Sequence, residues 1–324
     1  MKIKFTFNNR LKKEYEKTKL ILKEIKSKKI NLIAADYDGT LYDRHDKEFN
    51  NLLKIIELAH QVTKKGIDFV FVSGRNATLE VELRELIPDF CEKNKTDLTI
   101  WHSGGNGMNL NKISYLVKSK KLKVEKIFSN TISIKKVKES VKIYHNLKIK
   151  PDYKSQLFFK KYLKKNIPED LIPNEYFKLS KKSEGKIFAE AVKVSLVLPT
   201  SRKEQVRLIK ILRKKLSKFN LNVGWGGIPF ADVSKKLRFN NKVIDGKLLM
   251  VKNLIKLLNI KNDQVVTFGD TPNDNNQGLL SFPYSFTNDV SLNKSNKYPI
   301  PYILDAKDSP VKAVFEAIKY LINY

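Results

Sequence analysis

The sequence predicts an α/β protein built on a parallel sheet, with a second α+β segment inserted into it. Three observations carry this reading. Short apolar runs alternate with amphipathic helical stretches, which implies parallel strands joined by crossovers. Three of those runs stop at polar turns that begin with Asp, Ser-Gly or Gly-Asp. Between about residues 111 and 240 such turns are missing, although strand and helix patterns continue. A chain of 324 residues with 41 % hydrophobic side chains is long enough for two domains and apolar enough to fold.

The elements follow in order. Residues 1–29 form a basic extension in which Ile3, Phe5 and Phe7 alternate like a short strand. Leu11, Tyr15, Thr18, Leu22 and Ile25 then give a helical stripe over 10–28 that packs on the core. Ile30–Ala35 is a buried strand, Asp46–Lys65 a helix stopped by Gly66, and Ile67–Val72 a second strand. Leu79–Ile87 is helical and Asp97–His102 a third strand, followed by the glycine-rich turn Ser103–Met108. The core therefore spans 30–110 and 241–324, with 111–240 as the insertion. Inside the insertion, Val192–Leu198 and Asn220–Trp225 read as strands. The helix between them opens with the capping box Ser201-x-x-Glu204 and carries Val206, Ile209, Leu212 and Leu216 inward. After it come a helix from Lys247 to Leu258 and strands ending at Phe268 and Thr287. A last helix is started by Asp308-Ser309-Pro310, with Val311, Val314, Phe315, Ile318 and Leu321 on its buried face.

Ala34-Ala35-Asp36-Tyr37-Asp38-Gly39-Thr40 places two carboxylates two residues apart where the first core strand ends. A carboxylate can attack phosphorus and split hydrolysis into formation and breakdown of an aspartyl-phosphate. Asp36 suits that role. Asp38 suits proton transfer to the leaving oxygen and then from water. Two carboxylates beside a phosphate dianion need a cation, and magnesium prefers such oxygen ligands. An ordinary Asp-x-Asp-Gly turn is the structural alternative. Ser73-Gly74-Arg75 closes the next strand with a hydroxyl donor and a guanidinium for phosphoryl oxygens. Lys247 can offset phosphoryl charge. Gly269-Asp270-Thr271-Pro272-Asn273-Asp274 ends a further strand, where Asp270 completes a metal site, Asp274 supports it or pairs with Lys247, and Asn273 serves a substrate.

This order of Asp-x-Asp-Gly-Thr, Ser-Gly-Arg, Lys and Gly-Asp-x-x-Asn-Asp resembles the haloacid dehalogenase superfamily of phosphohydrolases. The resemblance implies Asp36 as nucleophile and Mg2+ ligand, with Asp38 as acid/base and ligand through its carbonyl. It also implies Ser73 and Lys247 on phosphate, and Asp270 as the remaining metal carboxylate. Members that cleave carbon–halogen bonds lack a carboxylate where Asp38 stands, so a phosphatase is expected. Asn106-Gly107 narrows the likeness to the Cof-type branch, whose members carry that pair before a large α+β cap that selects the leaving group. Asn106 is then a candidate contact for substrate or cap. Met108 replaces the usual alanine, and the N-terminal extension is a further departure. Expected substrates are small phosphorylated metabolites, such as sugar or cofactor phosphates. A phosphotransferase or mutase using the same intermediate is the alternative.

The net charge of +29 invites a nucleic-acid reading. Against it, 55 lysines outnumber 8 arginines and spread over the whole chain. Nucleic-acid readers lean on arginine for bidentate contacts. One cysteine allows no internal disulfide, and no export signal or membrane span is visible, so a cytoplasmic protein is expected. His45, His60 and His102 are expected to be structural or exposed; Trp225, Arg238 and His145 are candidate substrate contacts, against packing for Trp225 and solvent exposure for the other two. Oligomeric state is not readable.

Overall fold

The computed structural model describes residues 2–43, 45–46, 48, 50–164, 167–226, 229–239, 242–270, 278–288, 302–306 and 309–323. In chain order the first elements are α1 (Lys2–Lys26), β1 (Leu32–Asp36), α2 (Leu52–Thr63), β2 (Asp68–Val72), α3 (Ala77–Asn94), β3 (Leu98–Ser103), β4 (Asn109–Leu116) and β5 (Lys121–Ser129). Then come α4 (Ile134–Asn146), α5 (Tyr153–Tyr162), α6 (Asn174–Lys182), β6 (Ile187–Ala189), β7 (Lys193–Val197), α7 (Arg202–Leu216), β8 (Leu221–Trp225) and β9 (Phe230–Lys235). The chain closes with β10 (Arg238–Phe239), β11 (Lys242–Val243), α8 (Gly246–Leu258), β12 (Val265–Gly269), β13 (Tyr284–Thr287), β14 (Tyr302–Ile303) and α9 (Pro310–Ile322). They form two compact units: residues 1–74, 82–127 and 245–324 in one, and 75–81 with 128–244 in the other.

The first unit is an eight-stranded sheet in the order β14-β13-β12-β1-β2-β3-β4-β5. The strands from β14 to β3 run parallel, and β4 is antiparallel to β3. The apolar runs fold this way because parallel strands covered on both faces need continuous hydrophobicity. All five residues of β1 and of β12 are buried. From β1 the chain builds outward through β2 and β3 on one side, then returns to add β12, β13 and β14 on the other. The β1–β12 boundary is therefore the point where strand order reverses, and ligands in such sheets bind at the carboxyl ends there.

Two expectations are corrected in this unit. Residues 3–7 lie in helix α1, not in a strand. Alternation over five residues is too short a pattern to prevail over the lysine-, glutamate- and leucine-rich sequence that continues the helix. That helix packs on α9 and β14 through Thr18, whose hydroxyl donates to the Ile303 carbonyl at 2.8 Å, and through the buried Ile25. Second, residues 111–127 extend the large sheet as β4 and β5 instead of joining the insertion. β5 is an edge strand whose lysines at 121 and 123 are exposed, a pattern that blunts edge pairing.

The second unit is α+β, with the sheet order β6-β7-β9-β8, all neighbours antiparallel. Its core gathers Val194, Leu196, Val223 and Val233 from the strands with Tyr144, Leu208, Leu212 and Tyr176 from the helices. Ser201 occupies the N-cap of α7, yet its side chain makes no cap bond. The buried Gln205 instead donates to the carbonyls of Pro199 and Thr200 at 2.7 and 3.2 Å. Val206 is exposed and Leu208 takes its inward place. Among the described residues, no helix is long and apolar enough to cross a membrane.

Candidate active site

Asp36 is the last residue of β1, in register with Val72 of β2, so Ser73 sits one step beyond it on the neighbouring strand end. On the other side Ala35 pairs with Phe268, which brings Asp270 just past the end of β12. Parallel pairing thus delivers Asp36, Ser73 and Asp270 to one edge of the sheet. The turn after β1 is tightly closed: Leu41 and Tyr42 both donate to the Tyr37 carbonyl, at 3.0 and 2.9 Å, and the Gly39 N–H donates to the Tyr42 carbonyl at 2.9 Å. The rings of Tyr37 and Tyr42 stack with centroids 5.1 Å apart. Asp36 is buried, while Asp38 faces solvent.

Gly39 has a φ of +79°, which glycine adopts without the steric cost of a side chain. A Cβ there would come within 2.8 Å of Asp270 Oδ2, so the Asp270 carboxylate lies directly against the Asp36–Asp38 turn. Asn288 donates from Nδ2 to the Gly39 carbonyl at 2.9 Å, and Thr287 from its hydroxyl to the Asp270 carbonyl at 2.9 Å. Both residues end β13 or follow it, and both brace the aspartate turns.

Lys247 lies in the first turn of α8 and is 3 % exposed; its ammonium sits 2.6 Å from Asp36 Oδ1. Asp245 caps that helix by accepting the Leu248 N–H at 2.9 Å. Burial pushes the Asp245 carboxyl above the ordinary aspartate value, against the amides of Leu248 and Lys247 and the Lys247 charge. The glycine turn supplies the remaining support. A Cβ on Gly107 would lie 2.2 Å from the Gly246 carbonyl atoms, and one on Gly246 would lie 2.3 Å from the Asn106 carbonyl. Backbone meets backbone here because neither residue carries a side chain. Asn106 also donates its N–H to the Ser73 carbonyl at 2.9 Å and lays its Oδ1 against Gly74.

The structure therefore brings Asp36, Ser73, Gly74, Asn106, Lys247 and Asp270 together in the first unit, with Asp38 on the same turn. Arg75, two residues beyond Ser73, falls in the second unit. Asn273 and Asp274 lie outside the described residues. Asp245, Thr287 and Asn288 were not singled out from the sequence. Only Asp245 carried a readable signal, as a helix-capping residue type immediately before the Gly-Lys that opens α8.

His45, His145 and Arg238 are exposed. His60 is buried, with Nε2 2.9 Å from the Thr96 hydroxyl, and His102 is buried on β3. Trp225 is partly buried beneath the Arg202 guanidinium, which stacks 3.7 Å from the indole centre.

A buried strand-end carboxylate thus faces an ammonium, beside a hydroxyl and a second carboxylate, where the strand order of the sheet reverses. The family model for haloacid dehalogenase-like hydrolases matches residues 33–276, which is most of the chain, and this protein belongs to that family of hydrolases. Solved structures share the fold at low identity. A candidate HAD/COF-like hydrolase from Plasmodium vivax matches with a TM-score of 0.59 and 20% identity, over 93% of this chain and 98% of that one. A sugar phosphatase of HAD subclass IIB matches with a TM-score of 0.54 and 18% identity, over 90% and 100%. A HAD-superfamily phosphatase from Bacteroides thetaiotaomicron gives 0.53 and 14%, over 91% and 96%. Among proteins with curated descriptions, none matches this sequence.

Proposed function

We propose that this chain is a Mg2+-dependent phosphomonoester hydrolase that acts on a small phosphorylated metabolite through an aspartyl-phosphate on Asp36. The observation that carries this reading is the buried Lys247–Asp36 pair at 2.6 Å, set beside the Asp270 carboxylate that packs on Gly39. In the first half-reaction an Asp36 oxygen attacks phosphorus, the P–O bond to the leaving group breaks, and Asp38 gives its proton to the departing oxygen. Its exposure lets Asp38 exchange that proton with solvent. In the second half-reaction Asp38 takes a proton from water, which attacks phosphorus and releases inorganic phosphate and the Asp36 carboxylate. Ser73 donates to a phosphoryl oxygen, and Lys247 offsets charge as it builds on the transferring group.

The oxygens gathered here fit a magnesium ion. Asp36, Asp270 and the Asp38 carbonyl would hold it, because a hard cation selects oxygen donors and keeps places for substrate phosphate. Among the described residues no group of three or more His, Cys, Asp or Glu side chains is placed to hold a metal ion by itself. Bound there, magnesium supplies charge against the repulsion between carboxylates and phosphate dianion. The neighbour described as a sugar phosphatase makes sugar phosphates the first substrates to try. The test is a panel of phosphorylated metabolites with and without magnesium. Release of phosphate without any acceptor sugar, lost in Asp36→Asn, supports the reading; no release from any ester, or turnover kept by Asp36→Asn, refutes it.

A further inference from the structure

The second unit holds a buried polar cluster that the proposed chemistry does not use. Across β7 and β9, Ser195 is in register with Asp232. The Lys193 ammonium lies 3.1 Å from Asp232 Oδ2, and the Ser195 hydroxyl donates to Oδ1 at 2.6 Å. Lysine and aspartate already balance one another in charge. Glu190, which follows β6 and is 1 % exposed, is an additional carboxylate in the same place. Its N–H donates to the Lys193 carbonyl at 2.8 Å, which fixes its backbone beside the pair.

The Glu190 side chain points to another task. Its Oε1 accepts the Ala77 N–H at 2.8 Å, in a buried bond spanning 113 residues of sequence, and the Asn76 side chain bonds to it as well. Ala77 opens α3, so its N–H has no acceptor within the helix. Glu190 thus gives α3 from a distance what a local cap residue gives other helices. Ala77 and Val81 are also embedded in the apolar core of the second unit. Upstream, Ser73 is held in the first unit: its N–H donates to the Ser103 carbonyl at 2.8 Å and its carbonyl accepts from Asn106 at 2.9 Å. Only Gly74 and Arg75 separate Ser73 from Asn76.

We propose that Glu190 is a positioning residue: by capping α3 at Ala77 it fixes the path of the Ser73-Gly74-Arg75 segment, and through it the hydroxyl of Ser73. The kinetic consequence rests on the phosphatase reading above; the structural consequence does not. Removing the carboxylate leaves Lys193 and Asp232 paired, so the fold of the second unit persists.

The experiment compares the full-length protein with Glu190→Ala and Glu190→Gln. Backbone hydrogen exchange is read by mass spectrometry over residues 73–81, and KM and kcat for p-nitrophenyl phosphate are measured with magnesium. Loss of one buried hydrogen bond predicts roughly tenfold faster exchange in this segment for Glu190→Ala, with unchanged exchange in β7 and β9. KM is expected to rise about five- to tenfold while kcat stays within about twofold, since substrate binding is what weakens. Glu190→Gln keeps an acceptor oxygen and is expected to restore both. Three results would overturn the proposal: wild-type exchange in Glu190→Ala, loosening spread evenly over the second unit, or a glutamine variant no better than alanine. If the wild-type enzyme turns over no ester, the phosphatase reading falls, and the exchange measurement alone still decides this one.

Discussion

Replacing Lys247 by methionine removes the cation facing Asp36 while keeping the length of the side chain. The two charged ends are 2.6 Å apart, and the side chains are 3 % and 7 % exposed. Deleting one partner of a buried ion pair costs about 3–5 kcal/mol. At roughly 2–4 °C per kcal/mol for a unit of this size, the melting point of the first unit is expected to fall by about 6–20 °C. Asp36→Asn removes the other half of the pair and is expected to cost a similar amount. The double variant has neither charge, so its loss should be smaller than the sum of the two single losses by at least about 2 kcal/mol. The assay is urea unfolding in EDTA, followed by tryptophan fluorescence in a Trp225→Phe background. Trp101, buried in the first unit, is then the sole reporter, because the chain has two tryptophans. Additivity of the two single variants within about 0.5 kcal/mol would refute the idea that these residues form one coupled pair.

Three further outcomes follow from the same structure. Gly107→Ala has a φ of +84° and a methyl 2.2 Å from the Gly246 carbonyl, so it should cost about 2 kcal/mol or more and abolish turnover by displacing Lys247. Gly66→Ala is the matched control: its φ is +72° but nothing lies within 4 Å of the added Cβ, so about 1 kcal/mol is lost and activity is kept. Burial, opposed by Lys193 and assisted by Asp232, raises the Glu190 carboxyl above its ordinary value of 4.5. The unfolded chain therefore releases this proton first, and stability falls as pH rises from about 4.5 through the folded-state value. Glu190→Gln has no such proton, so its stability relative to wild type should grow over that window. A pH-independent difference in chemical denaturation would contradict this.

Much of the candidate site was legible because its residues sit where buried strands stop. Asp36, Ser73 and Asp270 each follow an apolar run whose continuity marks a strand covered on both faces, and parallel pairing then aligns the three ends. Lys247 was different. One lysine among 55 has no local signature, and only its order among the other motifs singled it out. The Asn106-Gly107 turn was readable as a place of close backbone approach, but not which backbone; Gly246 is its partner across more than a hundred residues. Long-range satisfaction of a helix end is equally invisible from the sequence. Glu190 sits in an alternating strand context, and nothing near it names Ala77 as the donor. The strand expected over residues 3–7 failed because five alternating residues are outweighed by the helix-forming sequence that follows, and β5 was placed in the insertion because nothing local marks which sheet a strand joins.

The most direct measurement is rapid acid quench of the enzyme during turnover of a phosphoester with magnesium, followed by mass analysis of the peptide spanning residues 32–42. The account predicts one added phosphoryl group on Asp36, absent from the Asp36→Asn variant. Phosphate released at full rate while that peptide never gains the group would contradict it.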